Sequence, residues 1–114
     1  MSVVNITVEN DADFYRTFQY QTISGVPISI VGTTMQMMLR RHAADETALM
    51  RLGTDTGEIV IVDGPNGLFS IRIAQLNLER LGLGLYAQSL IMTQGGFKRS
   101  IWTGSFTNNA GPTR

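Results

Sequence analysis

Few side chains in this sequence are of a type that does chemistry. His42 is the single histidine, so any imidazole acid–base step falls to it and a histidine metal cluster is excluded. It follows Arg40 and Arg41 and precedes Ala-Ala-Asp-Glu, the ordinary setting of a solvated loop histidine. Asp45 with Glu46, and Asp55 with Glu58, are the carboxylate pairs available for a glycosidase-like general acid and base, but neighbouring acids in turn-rich sequence are usually just solvated. Asp55, Glu58 and Asp63 could offer oxygen ligands to calcium, yet their spacing fits no EF-hand loop. Gly82-Leu83-Gly84 is half of a dinucleotide fingerprint that lacks its third glycine and leads into strand-like sequence. Thr103-Gly104-Ser105 lacks the flanking glycines and the strand-to-helix turn of a nucleophile elbow. With no cysteine, thiolate and disulfide chemistry are absent and the redox compartment is unspecified. The expectation is a chain that is not an enzyme and has no catalytic residue, cofactor or metal.

Binding chemistry is the other possibility. Arg40, Arg41, Arg51, Lys98 and Arg99 would form a basic patch if their strands lay side by side, with Tyr15, Tyr20 and Trp102 to stack bases. Nine basic residues are balanced by nine acidic ones, so no global field attracts nucleic acid or an anionic membrane, and nucleic acid is disfavoured as a partner. An exposed Trp102 would make a sugar-stacking platform, which keeps a carbohydrate-binding sandwich as the alternative function. As the single tryptophan in a mid-hairpin strand it is more often a core anchor.

The elements that would carry these residues are short. Turn-formers recur at Asn10-Asp11, Ser24-Gly25, Gly32, Gly53, Gly57, Gly64-Pro65-Asn66-Gly67, Gly82, Gly84 and Gly95-Gly96. The runs between them are rich in Ile, Val, Thr, Phe and Tyr, the pattern of an all-β sandwich or barrel. Phe14, Phe18 and Tyr20 share one parity, with Arg16 as the exception; Met35, Met37 and Leu39 share another against Thr34, Gln36, Met38 and Arg40. Ile59 to Val62 is apolar on both parities. Phe69, Ile71 and Ile73 alternate with Ser70 and Arg72. Ala74 to Leu81 is the one helical stretch, stopped by Gly82 and Gly84 and expected to cap an open end of the sandwich. Leu90 to Thr107 reads as a hairpin about Gly95-Gly96, with Leu90, Met92, Trp102 and Phe106 inward and Ile91, Thr93, Ile101, Thr103 and Ser105 on the other face. "NNAGPTR" has the composition of a loop leaving the domain. At 114 residues the chain reads as one domain, 1–114. It shows no signal peptide and no membrane-spanning stretch, so a soluble protein with no membrane partner is expected.

From Gly25 onward the order of features resembles a family of small bacteriophage and prophage tail-associated proteins, similar to the N-terminal immunoglobulin-like domain of phage baseplate upper proteins. Gly25-Val26-Pro27-Ile28-Ser29-Ile30-Val31-Gly32 matches an opening "G-x-P-x-(D/S)-L-x-G"; "TTMQMMLRR" matches a strand of the type "ARMQVR"; "EIVIVDGPNG" matches "I-x-I-x-D…G". Gly84, Tyr86 and Leu90 match "G-x-Y-x-x-x-L", and Gly104, Phe106, Thr113 and Arg114 match the close. Ser29 replaces the usual aspartate, and Gln88 and Ser89 replace an aromatic and an aspartate. The resemblance implies an immunoglobulin-like antiparallel β-sandwich of about seven to eight strands with one short helical turn. It also implies a non-catalytic virion structural part in the baseplate or tail fibre, assembled in the bacterial host cytoplasm.

A building block of that kind recognises other tail or baseplate proteins, and further copies of itself, through apolar patches and strand edges. Met38, Val60, Val62, Ile91 and Ile101 are the candidate interface residues. Burial under the loop from His42 to Gly57 is the competing explanation for Met38 and for the strand from Ile59 to Val62, and is slightly preferred.

Overall fold

The computed structural model describes residues 2–22 and 24–112, and the side chain of Ser2 is excluded. Thr113 and Arg114, the last two residues of the family-like close, lie outside them. Nine strand segments and one helix follow in order: β1 Ser2–Val3, β2 Ile6–Glu9, β3 Phe14–Gln19, β4 Thr34–Arg40, β5 Met50–Gly53, β6 Ile59–Asp63, β7 Leu68–Ile73, α1 Gln75–Leu81, β8 Gly84–Gln94 and β9 Phe97–Asn109. One sheet runs β1-β9-β8-β4-β5, with β2 also on β9; the other runs β3-β7-β6. β1 and β2 pair with β9 in parallel at the same offset, Ser2 opposite Trp102 and Ile6 opposite Phe106. They are therefore one edge strand interrupted at Val4-Asn5, and eight strands form the sandwich. The neighbour order, with the first strand parallel to the last, is that of an immunoglobulin-like fold.

Parity explains most of the core. Met35, Met37 and Leu39 from β4, Tyr86, Leu90 and Met92 from β8, and Phe69, Ile71 and Ile73 from β7 are all buried. Phe14, Phe18 and Tyr20 pack against them half-buried, while Arg16 lies exposed at the sandwich rim with its guanidinium 5.4 Å from the Phe18 ring centre. Gly95 and Gly96, at φ 58° and 85°, supply the positive φ that a two-residue hairpin loop needs. The hairpin they join is central to its sheet.

Two expectations fail in β9. A bulge between Leu90 and Ile91 sets Leu90 opposite Trp102 and Ile91 opposite Ser100. The extra residue is Ile101, and the bulge flips the alternation across it. Ile101 and Trp102 therefore both face the core, and Ile101 is only 6% exposed, not on the outer face. In the tail, Asn108 and Asn109 continue β9 and Gly111 is buried. Its N–H donates to the Asn10 side-chain oxygen at 3.0 Å.

α1 links the two sheets and buries Leu78, while Leu76 stays in solvent. The first N–H of the helix, from Gln75, is taken by the Asp13 carboxylate at 2.7 Å, which relieves one of the unpartnered donors of a helix start. At the other end Asn108 Nδ2 donates to the carbonyls of Leu78 and Gly82 at 2.8 and 3.0 Å. The helix thus closes the end of the sandwich where β9 finishes. The Tyr86 hydroxyl lies 2.8 Å from the carbonyls of both Leu81 and Gly82, the arrangement called a tyrosine corner in immunoglobulin-like domains.

Candidate interaction surface

The residues with chemical side chains do not converge. The Asp55 carboxylate sits 3.3 Å from Arg51 at the surface. Glu58 Oε1 accepts from the Gly53 N–H at 3.3 Å and from the Thr56 hydroxyl, Asp63 accepts from Asn66 Nδ2 at 2.9 Å, and Asp45 accepts from the His42 N–H at 3.0 Å. Each of these carboxylates holds its own turn, and His42 is exposed in its loop. Among the described residues no three His, Asp or Glu side chains group as metal ligands.

The basic residues separate as well. Arg40 reaches the Asp45 carbonyl, Arg41 lies 4.4 Å from the Tyr86 ring centre, and Arg51 belongs to Asp55, while Lys98 and Arg99 are at the hairpin tip opposite Thr93 and Met92. Trp102 is 4% exposed, its ring 4.9 Å from that of Phe18 and 5.9 Å from that of Phe69. A sugar or base cannot stack on it. The tryptophan is instead one member of a buried polar chain: its indole Nε1 donates to Gln88 Oε1 at 2.8 Å, and Gln88 Nε2 donates to the Val4 carbonyl at 2.7 Å. The interruption between β1 and β2 exists to make this contact. Val4 turns its carbonyl inward over Gly104, where any Cβ would stand 2.0 Å from the oxygen, and Asn5 Oδ1 replaces the missing backbone acceptor for the Ser105 N–H.

What the fold does assemble is a shallow hollow on the outer face of the larger sheet. The registers align Arg40, Ala87 and Ser105 in one row, Arg51, Met38, Ser89 and Thr103 in the next, and Gln36, Ile91 and Ser100 in the third. Small side chains along β8 and β9 leave a depression of about 190 Å³ with Met38 and Ile91 half-buried in its walls. Arg40 Nη2 points to the Met38 sulfur at 3.5 Å, and Arg51 Nη2 donates to Gln36 Oε1 at 3.0 Å, so the charges stand at the rim and the floor is uncharged. That is the arrangement of a protein interface core with a polar border.

The five candidate interface residues therefore divide. Met38 and Ile91 share this hollow. Val60 and Val62, 49% and 56% exposed, lie on β6, the edge strand of the other sheet; their exposure rules out burial under the His42–Gly57 loop. Ile101 is core and reaches neither surface. The sequence reading missed the Tyr86 corner, for which Gly-Leu-Gly-Leu-Tyr after a short helix is a usable signal. It also missed the hollow, whose signal is the run of small outward residues Ala87, Ser89, Thr103 and Ser105.

No family model matches the chain, and no curated protein matches it in sequence. Among solved structures it is similar to one described as the N-terminal domain of phage TP901-1 ORF48, with a TM-score of 0.53 and 14% identity over 95% of this chain and 85% of that one. At that identity the likeness is one of fold, and it places the chain's β-sandwich beside that of a phage protein.

Proposed function

We propose that this chain is a non-catalytic structural module of a phage or prophage tail, in a baseplate or fibre assembly put together in the host cytoplasm. On this reading it binds another tail protein through the hollow around Met38 and Ile91. The observation that carries the proposal is the fold shared with a phage protein domain over nearly the whole chain. Half-buried Met38 and Ile91 in the walls of an uncharged hollow support the choice of surface.

Co-expression with the proteins encoded beside it tests the reading. A stoichiometric complex with a tail protein, lost on Met38→Asp with Ile91→Asp while the folded state persists, is the expected result. Neighbouring genes of metabolism, or a complex indifferent to both substitutions, would refute it.

A further inference from the structure

The turn between β6 and β7 holds the single Asn-Gly pair of the sequence, Asn66-Gly67. An asparagine so placed can deamidate at the expense of its own chain. The main-chain nitrogen of the next residue gives its proton to water or hydroxide and attacks the side-chain Cγ. A C–N bond to the main chain forms as the bond to the side-chain nitrogen breaks, and that nitrogen takes a proton from water and leaves as ammonia. The resulting succinimide adds one water at either carbonyl, which gives aspartate or isoaspartate. Glycine in the following position favours the attack, because no Cβ crowds the nitrogen. Asn66 is exposed, so water reaches it.

The folded turn holds every reacting group off that path. The Gly67 N–H, the attacking group, donates to the Gly64 carbonyl at 3.1 Å. Asn66 has no positive φ, so Gly64 to Gly67 is a type I turn and not type II, with the Asn66 ψ near about 0°. That ψ must rotate far from its turn value before the nitrogen can meet Cγ. Three contacts oppose the rotation. Asn66 Nδ2 donates to the Asp63 carboxylate at 2.9 Å, and the Asn66 carbonyl accepts from Gln19 Nε2 at 3.1 Å. The Gly67 carbonyl accepts from the Tyr20 N–H at 2.8 Å. Gly67 has no room to shift, since a Cβ there would stand 2.5 Å from the carbonyl oxygens of both Tyr20 and Ile28.

Neither product fits the same turn. Isoaspartate puts one more methylene into the main chain before Gly67, a lengthening that breaks the bond to Gly64 or the bond from Tyr20. Aspartate replaces the donor to Asp63 with a second anionic oxygen. The damage would spread, because the Ile30 N–H also donates to the Gly64 carbonyl, at 2.8 Å. Gln19, Tyr20 and Ile30 therefore anchor both ends of the segment 19–30 on this turn.

We propose that Asn66 is a self-deamidation site that the native turn holds shut. The modification is made while the turn is open, and once made it prevents the turn from closing and frees the segment 19–30. It thus marks chains that have spent time unfolded. The inference is independent of the assembly reading above.

The wild-type chain is aged at mildly alkaline pH in two samples, one folded in buffer and one unfolded in guanidinium chloride. Trypsin releases the peptide from Leu52 to Arg72, in which Asn66 is the only side-chain amide. Mass spectrometry follows the amide-to-acid gain in that peptide, and a protein isoaspartate methyltransferase counts isoaspartate. Conversion should proceed in the unfolded sample and run at least about tenfold more slowly in the folded one, where it must wait for the turn to open. Asn66→Gln, which would have to close a larger ring, should show no conversion in either state. Ion exchange then separates modified from unmodified chains of the unfolded sample, and both are returned to buffer. The modified fraction should fail to refold, or should refold with a lower urea midpoint by Trp102 emission and faster amide exchange at Tyr20 and Ile30. Equal rates in the folded and unfolded samples, an unfolded chain that keeps its Asn66 amide, or a modified fraction with the midpoint and exchange of the unmodified one would each overturn the proposal.

Discussion

Gln88→Glu exchanges one amide nitrogen for an oxygen in the middle of the buried chain from Trp102 to Val4, with almost no change of shape. In the wild type the Gln88 side chain receives the indole proton on one atom and donates from the other to Val4 at 2.7 Å. It also reaches the Ser105 carbonyl at 3.4 Å. A protonated carboxyl repeats the first two contacts, so below pH 4 the variant should lie within about 1 kcal/mol of wild type, having lost only the long third one. An ionised carboxylate has no proton to give and would set an anionic oxygen against the Val4 carbonyl in a site that is 3% exposed. Burial and the missing donor both raise the folded-state pKa above the unfolded value of about 4.3. Between those two values the folded state binds more protons than the unfolded one, so stability must fall as pH rises. At about 1.36 kcal/mol per pH unit, the loss between pH 4.3 and pH 7 has a ceiling of about 3.7 kcal/mol. Urea unfolding followed by emission of the single Trp102, taken as variant minus wild type from pH 4 to 7.5, measures it. A difference that is flat with pH, or that shrinks as pH rises, would refute the buried-network account.

Tyr86→Phe keeps the ring and removes the hydroxyl from the Leu81 and Gly82 carbonyls; Gly82 retains Asn108 as a partner, so a loss of about 1–2 kcal/mol is expected in urea unfolding. Gly104→Ala drives a methyl into the Val4 carbonyl and should cost about 2 kcal/mol or more, with amide exchange rising first in β1. Ile91→Ala and Ile101→Ala, ten positions apart in one hairpin, should differ sharply: about 0.5 kcal/mol for the half-buried Ile91 and about 2–4 kcal/mol for the core Ile101. Equal losses would place both on one face and remove the bulge from the argument.

Alternation was sufficient wherever a strand was regular, because a residue's face is then fixed by its parity. Met35, Met37 and Leu39, or Tyr86, Leu90 and Met92, need no further information. It failed where backbone geometry changed without a local marker. Nothing in Ser100-Ile101-Trp102 distinguishes a bulge from two ordinary strand residues, since the bulge is decided by pairing with β8. The break at Val4-Asn5 is equally silent, because its reason is Gln88, more than eighty residues away. At Val60 and Val62 it was the preferred alternative, burial under the His42–Gly57 loop, that failed: both are exposed on β6, the edge strand of the smaller sheet, a place that alternation cannot show.

The same dependence on pairing decides which surface is free to interact. Ile101 appeared to extend an apolar outer face from Ile91 across to β9; with Ile101 turned inward, the hollow on that face keeps Met38 and Ile91 beside small residues. One inserted residue therefore removes an apolar side chain from the sheet face. Deleting Ser100 should test this directly. With the bulge gone, Leu90 stays opposite Trp102, Ile101 takes the place opposite Ile91 on the outer face, and Phe97 to Arg99 keep their partners on β8. The variant should unfold cooperatively and lose about 2–4 kcal/mol in urea unfolding, the cost of taking Ile101 out of the core. A deletion that costs nothing would show that the bulge is not what holds Ile101 in the core.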